Sequence, residues 1–129
     1  REQVEHLASR LQGEELAAIY ASPRLRTRQT ADAIAGAADV RVAEALDEID
    51  FGDWTGAAFV ELEGDPVWEQ WNRERSVATV PRGETMSEAQ ERAWRFLEEA
   101  ARRHSGERIA LVTHCDIIRA VVARVLGLS

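Results

Sequence analysis

Three short stretches of this chain carry side chains suited to handling a phosphate group. Ser22-Pro23-Arg24-Leu25-Arg26-Thr27-Arg28-Gln29-Thr30-Ala31 gathers three guanidinium groups just after a prospective strand. Glu48-Ile49-Asp50-Phe51-Gly52-Asp53-Trp54-Thr55-Gly56 sets a carboxylic acid among further acids and glycine turns. Val112-Thr113-His114-Cys115-Asp116 puts an imidazole after a second apolar run. A planar guanidinium binds phosphate oxygens in pairs, a carboxylic acid can protonate a leaving oxygen, and an imidazole can contact a phosphoryl group in either protonation state. What the set lacks is a nucleophile.

Each motif has a bland reading beside the chemical one. Successive residues in the first turns of a helix are spread by about 100°, so Arg24, Arg26 and Arg28 cannot all face one ligand. Cations at a helix N-terminus oppose its dipole unless an anion sits nearby, and the free N–H groups there attract the same anion. A solvated basic face would explain any one of the three, with Arg26 the preferred phosphate ligand. Glu48 stands among Asp47, Asp50 and Asp53. Clustered carboxylates hinder one another's ionisation, which suits a proton donor, while an acidic surface loop would look the same. A magnesium site would need several of these acids to converge, and neighbours in an extended loop point apart. His114-Cys115 is too closely spaced for a zinc pair. Cys115 as a nucleophile would lack a second histidine to activate it. His6 and His104 read as surface residues on helices, and Trp54, Trp68, Trp71 and Trp94 as core and lid packing.

The elements that must position these groups are legible from periodicity and punctuation. Val4, Leu7, Ala8 and Leu11 predict an opening helix that Gly13 stops, its charged start Arg1-Glu2-Gln3-Val4-Glu5 being unlike a signal peptide. Ala18-Ile19-Tyr20-Ala21 reads as a buried strand, and Ser22-Pro23 as the break and cap before a helix that ends near Gly36. Val40-Arg41-Val42 is a second strand, followed by the loop of Glu48. Phe59 to Leu62 and Pro66 to Arg75 read as short helices, and Arg82-Gly83-Glu84-Thr85 as a turn. Ser87 to Arg103 is the longest helix, with Ser87 as its cap and Gln90 at the capping-box position. Arg108 to Val112 reads as a buried strand, and Ile117 to Leu126 as a closing helix ended by Gly127. Alternating strands and helices point to an α/β fold with a mostly parallel sheet. Ligands of such folds gather at the carboxyl ends of the strands, where Ser22, Glu48 and His114 all fall in sequence order.

Composition narrows the partners. The 129 residues suffice for one domain, with 45% hydrophobic and 30% charged residues and a formal net charge of −7. That charge disfavours a nucleic-acid binder, and no apolar run approaches the roughly 18 residues of a membrane span. One cysteine fits a reducing, cytoplasmic setting. All sixteen basic residues are arginine, which a GC-rich genome would explain by itself.

Taken in order, the motifs resemble those of the histidine phosphatase superfamily, which includes cofactor-dependent phosphoglycerate mutases and many small phosphatases. Ser22 to Ala31 is similar to the family's Ser-Pro-Leu-x-Arg-Ala-x-Gln-Thr-Ala block, Glu48 to Gly56 to its Glu-x-x-x-Gly-x-x-x-Gly block, and Pro81-Arg82-Gly83-Glu84-Thr85 to its Pro-Gly-Gly-Glu-Ser turn. Thr113-His114 resembles the segment of its second histidine. The resemblance implies a three-layer α/β sandwich, a mostly parallel sheet flanked by helices, and a single domain over residues 1–129, incomplete at the N-terminus and at the C-terminus. It implies phosphomonoester hydrolysis, or mutase-like phosphoryl transfer, through a phosphohistidine. Arg26 and His114 would stabilise the phosphoryl oxygens and Glu48 would protonate the leaving oxygen. Arg26, Ser22 and Cys115 would contact a small phosphorylated metabolite. No metal or other cofactor, nucleic acid or membrane is implied, and a homodimer is compatible with it.

Two departures stand out. The family's nucleophile lies in an Arg-His-Gly motif on its first strand, upstream of the opening helix here, and His6 cannot replace it from within a helix. Read as a fragment of a longer protein, the chain leaves that motif elsewhere. Read literally, it would be a non-catalytic member that binds a phosphorylated ligand or a partner protein. The second departure is Cys115-Asp116 where glycines are common, which narrows the pocket but leaves the backbone N–H available. The compact, tryptophan-bearing insert between Gly56 and Pro81 favours hydrolysis over the mutase reaction.

Overall fold

The computed structural model describes residues 2–36 and 38–128, so Arg1 of the expected opening helix lies outside the described residues. In chain order the helices are α1 (Glu2–Leu11), α2 (Leu25–Ala35), α3 (Phe59–Leu62), α4 (Pro66–Arg73), α5 (Met86–Arg103) and α6 (Cys115–Val125). The strands are β1 (Leu16–Ala21), β2 (Val40–Val42) and β3 (Arg108–Val112), with single 3₁₀ turns at Glu44–Leu46 and Gly52–Trp54. Two compact units emerge: Arg1–Asp47 with Arg95–Cys115, and Glu48–Trp94 with Asp116–Ser129.

The first unit is built on a parallel sheet in the order β2-β1-β3. A strand covered on both faces needs an almost unbroken apolar sequence, and β1, Leu-Ala-Ala-Ile-Tyr-Ala, buries its last four residues. Ile19 and Ala21 pack with Ala31, Ile34 and Ala35 of α2. Ala18 and Tyr20, on the opposite face, pack with Leu46 and with Phe96 of α5. Helices thus cover both faces of a parallel sheet, the expected three-layer α/β arrangement. β3 is less buried than its sequence suggests: Arg108 is exposed and Ile109–Val112 are half-buried. Among the described residues it ends the sheet order, whereas β1 lies between two strands.

His104 corrects the expectation of a surface residue. Its side chain is only 9% exposed, with Nε2 2.8 Å from the Tyr20 hydroxyl and Nδ1 3.1 Å from Glu107. Arg41 donates to the same hydroxyl at 3.2 Å. Burying a tyrosine on the sheet demands partners for its oxygen, and the end of α5 supplies one. His6 is exposed, as expected.

The second unit packs around tryptophan. Trp71, Trp54, Ile49, Leu62, Val80 and Ile117 form its core, and Trp68 meets Trp54 edge-on at 5.1 Å between ring centroids. Trp94 lies beneath the Arg124 guanidinium at 4.8 Å. Asp65 caps α4 by accepting from the Val67 N–H, with Pro66 in the first turn. The cap of α5 is not Ser87. Thr85 Oγ1 accepts from the Glu88 N–H, and Glu88 accepts from the Thr85 N–H, both at 3.1 Å. Gln90 instead reaches the Ala120 carbonyl at 2.8 Å. Among the described residues no helix is long and apolar enough to cross a membrane.

Two loops of this unit cross at van der Waals contact. A Cβ on Gly52 would stand 2.3 Å from the Pro81 carbonyl oxygen, and Gly52 also has φ +48°. Glu84 fastens the crossing: its carboxylate accepts from the Asp50 N–H at 2.9 Å and from Arg92 Nε at 2.7 Å and Nη2 at 2.9 Å. Burial works to raise the Glu84 carboxyl, but the Arg92 hydrogen bonds and charge, with the Asp50 N–H, outweigh it and hold the group below its ordinary 4.5.

These contacts make two predictions. Gly52→Ala should cost roughly 2–4 kcal/mol in urea denaturation, through clash and backbone strain together. Gly64→Ala, at φ +86° in open space, should cost only about 1 kcal/mol. Because Glu84 is easier to ionise in the folded protein, its contribution is complete above the ordinary carboxylate value and fades as pH falls through its lowered one. Glu84→Gln should therefore destabilise by about 1–2 kcal/mol at pH 7, with the gap from wild type closing as the solution is acidified below pH ~4.

Candidate active site

The register of β1 and β3 brings the first and third motifs together. Ala21 is the partner of Val112, and the Ser22 N–H donates to the Val112 carbonyl at 3.0 Å. Both chains therefore leave the sheet side by side at its carboxyl edge, Ser22 turning toward α2 and His114 immediately preceding α6. Thr113 Oγ1 donates to the Leu46 carbonyl, tying the same edge to the 3₁₀ turn that follows β2.

His114 is buried, 4% exposed, and bonded at both ring nitrogens. Nε2 lies 2.7 Å from Ser22 Oγ, and Nδ1 lies 3.1 Å from Nη2 of Arg26. Arg26 is the second residue of α2 and is exposed, so one guanidinium joins the buried imidazole to solvent. Ser22 is fully buried, and its hydroxyl also meets Thr27 Oγ1 at 2.6 Å. The same hydroxyl accepts from the Arg24 N–H at 3.4 Å, as the expected cap would, although the helix begins two residues later than expected, with Arg24 at the N-cap position of α2 and no side-chain cap bond of its own.

The three arginines diverge as helical geometry requires. Arg24 pairs with Asp47 at 2.8 Å, Arg26 reaches His114, and Arg28 is exposed. Cys115 is the first residue of α6, with an exposed free thiol. The first backbone N–H groups of a helix have no partner within it, and that of Cys115 is one of these.

Glu48 opens the second unit and is half-buried. Its carboxylate accepts from the Ile49 N–H at 3.1 Å, and its carbonyl accepts from Arg92 Nη2 at 3.0 Å. Arg92 is the same guanidinium that Glu84 grips, so the backbone at Glu48 is held through a two-residue clamp. The neighbouring acids are engaged one at a time: Asp50 accepts from the Gly52 N–H, and Asp53 pairs with Arg82 at 2.6 Å. No group of three or more histidines, cysteines or acids among the described residues is placed to hold a metal ion.

Two residues of this arrangement escaped the sequence reading. Thr27 stands one helical turn before buried Ala31, on the face of α2 turned to the sheet, and that shared face was the available signal. Arg92 carried none, because a half-buried arginine on a polar helix face looks like any other.

Comparison with known proteins identifies relatives of the whole chain. A model of the histidine phosphatase superfamily (branch 1) matches residues 1–129. Phosphoserine phosphatase 1 of Hydrogenobacter thermophilus is 33% identical over 133 residues, covering 100% of this chain and 63% of that protein. The structure of YhfR from Bacillus stearothermophilus superposes with a TM-score of 0.92 at 30% identity, over 98% of this chain and 64% of the other. Phosphoserine phosphatase from Entamoeba histolytica, solved with 3-phosphoglyceric acid, gives 0.84 at 25% identity, over 98% and 64%. The chain thus spans slightly less than two thirds of these relatives. With the family model matching from its first residue to its last, the chain belongs to the histidine phosphatase superfamily.

Proposed function

We propose that the protein hydrolyses small phosphomonoesters through a phosphohistidine intermediate. The observation that carries this reading is the pairing of Arg26 with His114 at the carboxyl ends of β1 and β3. An exposed guanidinium and an imidazole, side by side at the edge of a parallel sheet, form a preorganised cradle for a phosphoryl group. The cysteine amide at the start of α6 adds a donor aimed along the helix dipole.

In this reaction a histidine from an Arg-His-Gly segment, the position it has in the family, attacks phosphorus. Arg26 and His114 hold the phosphoryl oxygens while the bond to the ester oxygen breaks. Glu48 gives its proton to that leaving oxygen. A water molecule then attacks the phosphohistidine, Glu48 takes up the water's proton, and inorganic phosphate leaves. Positioning and charge neutralisation supply most of the rate, since little else is needed in phosphoryl transfer. Ser22 serves the site through His114, because its own hydroxyl is fully buried. The phosphoserine phosphatases among the relatives support hydrolysis, as does the compact α3–α4 insert.

The acid's share of this scheme depends on the leaving group. Glu48→Gln in the complete protein should lower kcat by roughly 100-fold or more on phosphoserine, with KM little changed. The loss should be distinctly smaller on p-nitrophenyl phosphate, whose leaving oxygen departs without a proton. Equal turnover of wild type and variant on phosphoserine would remove Glu48 from this role.

A further inference from the structure

The three buried polar side chains among the described residues are Ser22, Thr27 and His114, and they form one continuous hydrogen-bonded chain. Its direction is set from both ends. Arg26 can only donate, so the Nδ1 it faces at 3.1 Å must be the accepting nitrogen of a neutral ring. The ring proton then sits on Nε2 and is donated to Ser22 Oγ. At the far end, Thr27 Oγ1 lies 2.9 Å from the Arg24 carbonyl and 3.1 Å from the Ser22 carbonyl. Carbonyls only accept, so the threonine hydroxyl proton points to them and its lone pair faces Ser22. The Ser22 proton is thereby directed to Thr27, and the two lone pairs of Ser22 Oγ accept from the Arg24 N–H at 3.4 Å and from the histidine.

We propose that Thr27, acting through Ser22, is a positioning residue that fixes the tautomer of His114. The consequence rests on the phosphate-holding role given above to His114 and Arg26. With Nε2–H held by Ser22, a second ring proton would go to Nδ1, on the arginine side. When a protonated phosphate oxygen takes the place of the arginine N–H, its O–H can pass its proton to Nδ1, and the resulting Nδ1–H then donates to that oxygen without the ring turning. Without Thr27, the Ser22 hydroxyl proton would be free to turn onto Nε2. The ring proton would then move to Nδ1 and oppose the Arg26 N–H.

The test is the ¹⁵N spectrum of histidine-labelled protein, with Thr27→Val and Thr27→Ser compared with wild type, followed by titration with inorganic phosphate. Wild type and Thr27→Ser should hold His114 as the Nε2–H tautomer, while Thr27→Val, with a thermal midpoint near wild type, shifts toward Nδ1–H. Phosphate affinity should fall roughly fivefold in Thr27→Val only, the scale of one net hydrogen bond. An Nδ1–H ring in wild type, which needs no variant to fold, would overturn the proposal. So would a Thr27→Val protein whose tautomer and phosphate affinity match wild type. If the tautomers behave as expected but wild type binds no phosphate, the relay stands and the phosphatase reading falls.

Discussion

The imidazole of His114 is held at both nitrogens by residues of one β–α crossing, and the first unit is arranged around that double anchorage. Ser22 can reach Nε2 only because β1 and β3 run parallel with Ala21 opposite Val112. Arg26 can reach Nδ1 only because α2 starts within a turn of Ser22 and lies on the sheet through Ala31 and Ile34. A one-residue slip between the strands would turn His114 to the opposite side of the sheet. The apolar packing of β1 therefore specifies a polar contact that no apolar residue makes.

Burying three polar side chains beneath an exposed arginine is costly unless every donor and acceptor is matched. They are matched: among the described residues no buried side-chain nitrogen or oxygen lacks a hydrogen-bond partner. The arginines bring a second cost, since cations in the first turn of α2 oppose its dipole. Asp47 relieves this for Arg24. Arg26 sets its guanidinium against the His114 ring at 3.1 Å. In the second unit the same logic holds Glu48, where a guanidinium gripped by Glu84 secures the backbone and leaves the carboxylate beside the Ile49 N–H.

Most of the secondary structure was legible because its signals are local. An unbroken apolar run marks β1, glycine marks the ends of α2 and α6, and Asp65-Pro66 marks the start of α4. Where reading failed, the deciding contact lay far away in sequence. Thr85 with Glu88 and Ser87 with Gln90 offer equal local cases for capping α5, and Gln90 was drawn off by the Ala120 carbonyl, 30 residues on. His104 looks like a surface residue among charges until Tyr20, 84 residues earlier, bonds to it. Ser22 reads as a cap and does accept from the Arg24 N–H, yet its hydroxyl also meets His114, 92 residues away. The residues of the candidate site stood out by type and spacing. The direction of the protons between them depends on which groups face each other, and only three dimensions supply that.

Phosphate handling in this site depends on Arg26 and His114 binding one phosphate group together. A crystal structure of the protein with orthovanadate, which mimics phosphoryl transfer, tests it most directly. Vanadium oxygens should lie within hydrogen-bonding distance of both the Arg26 guanidinium and His114 Nδ1, with Nε2 still on Ser22. An oxyanion bound elsewhere, with the Arg26–His114 contact intact and unoccupied, would contradict it.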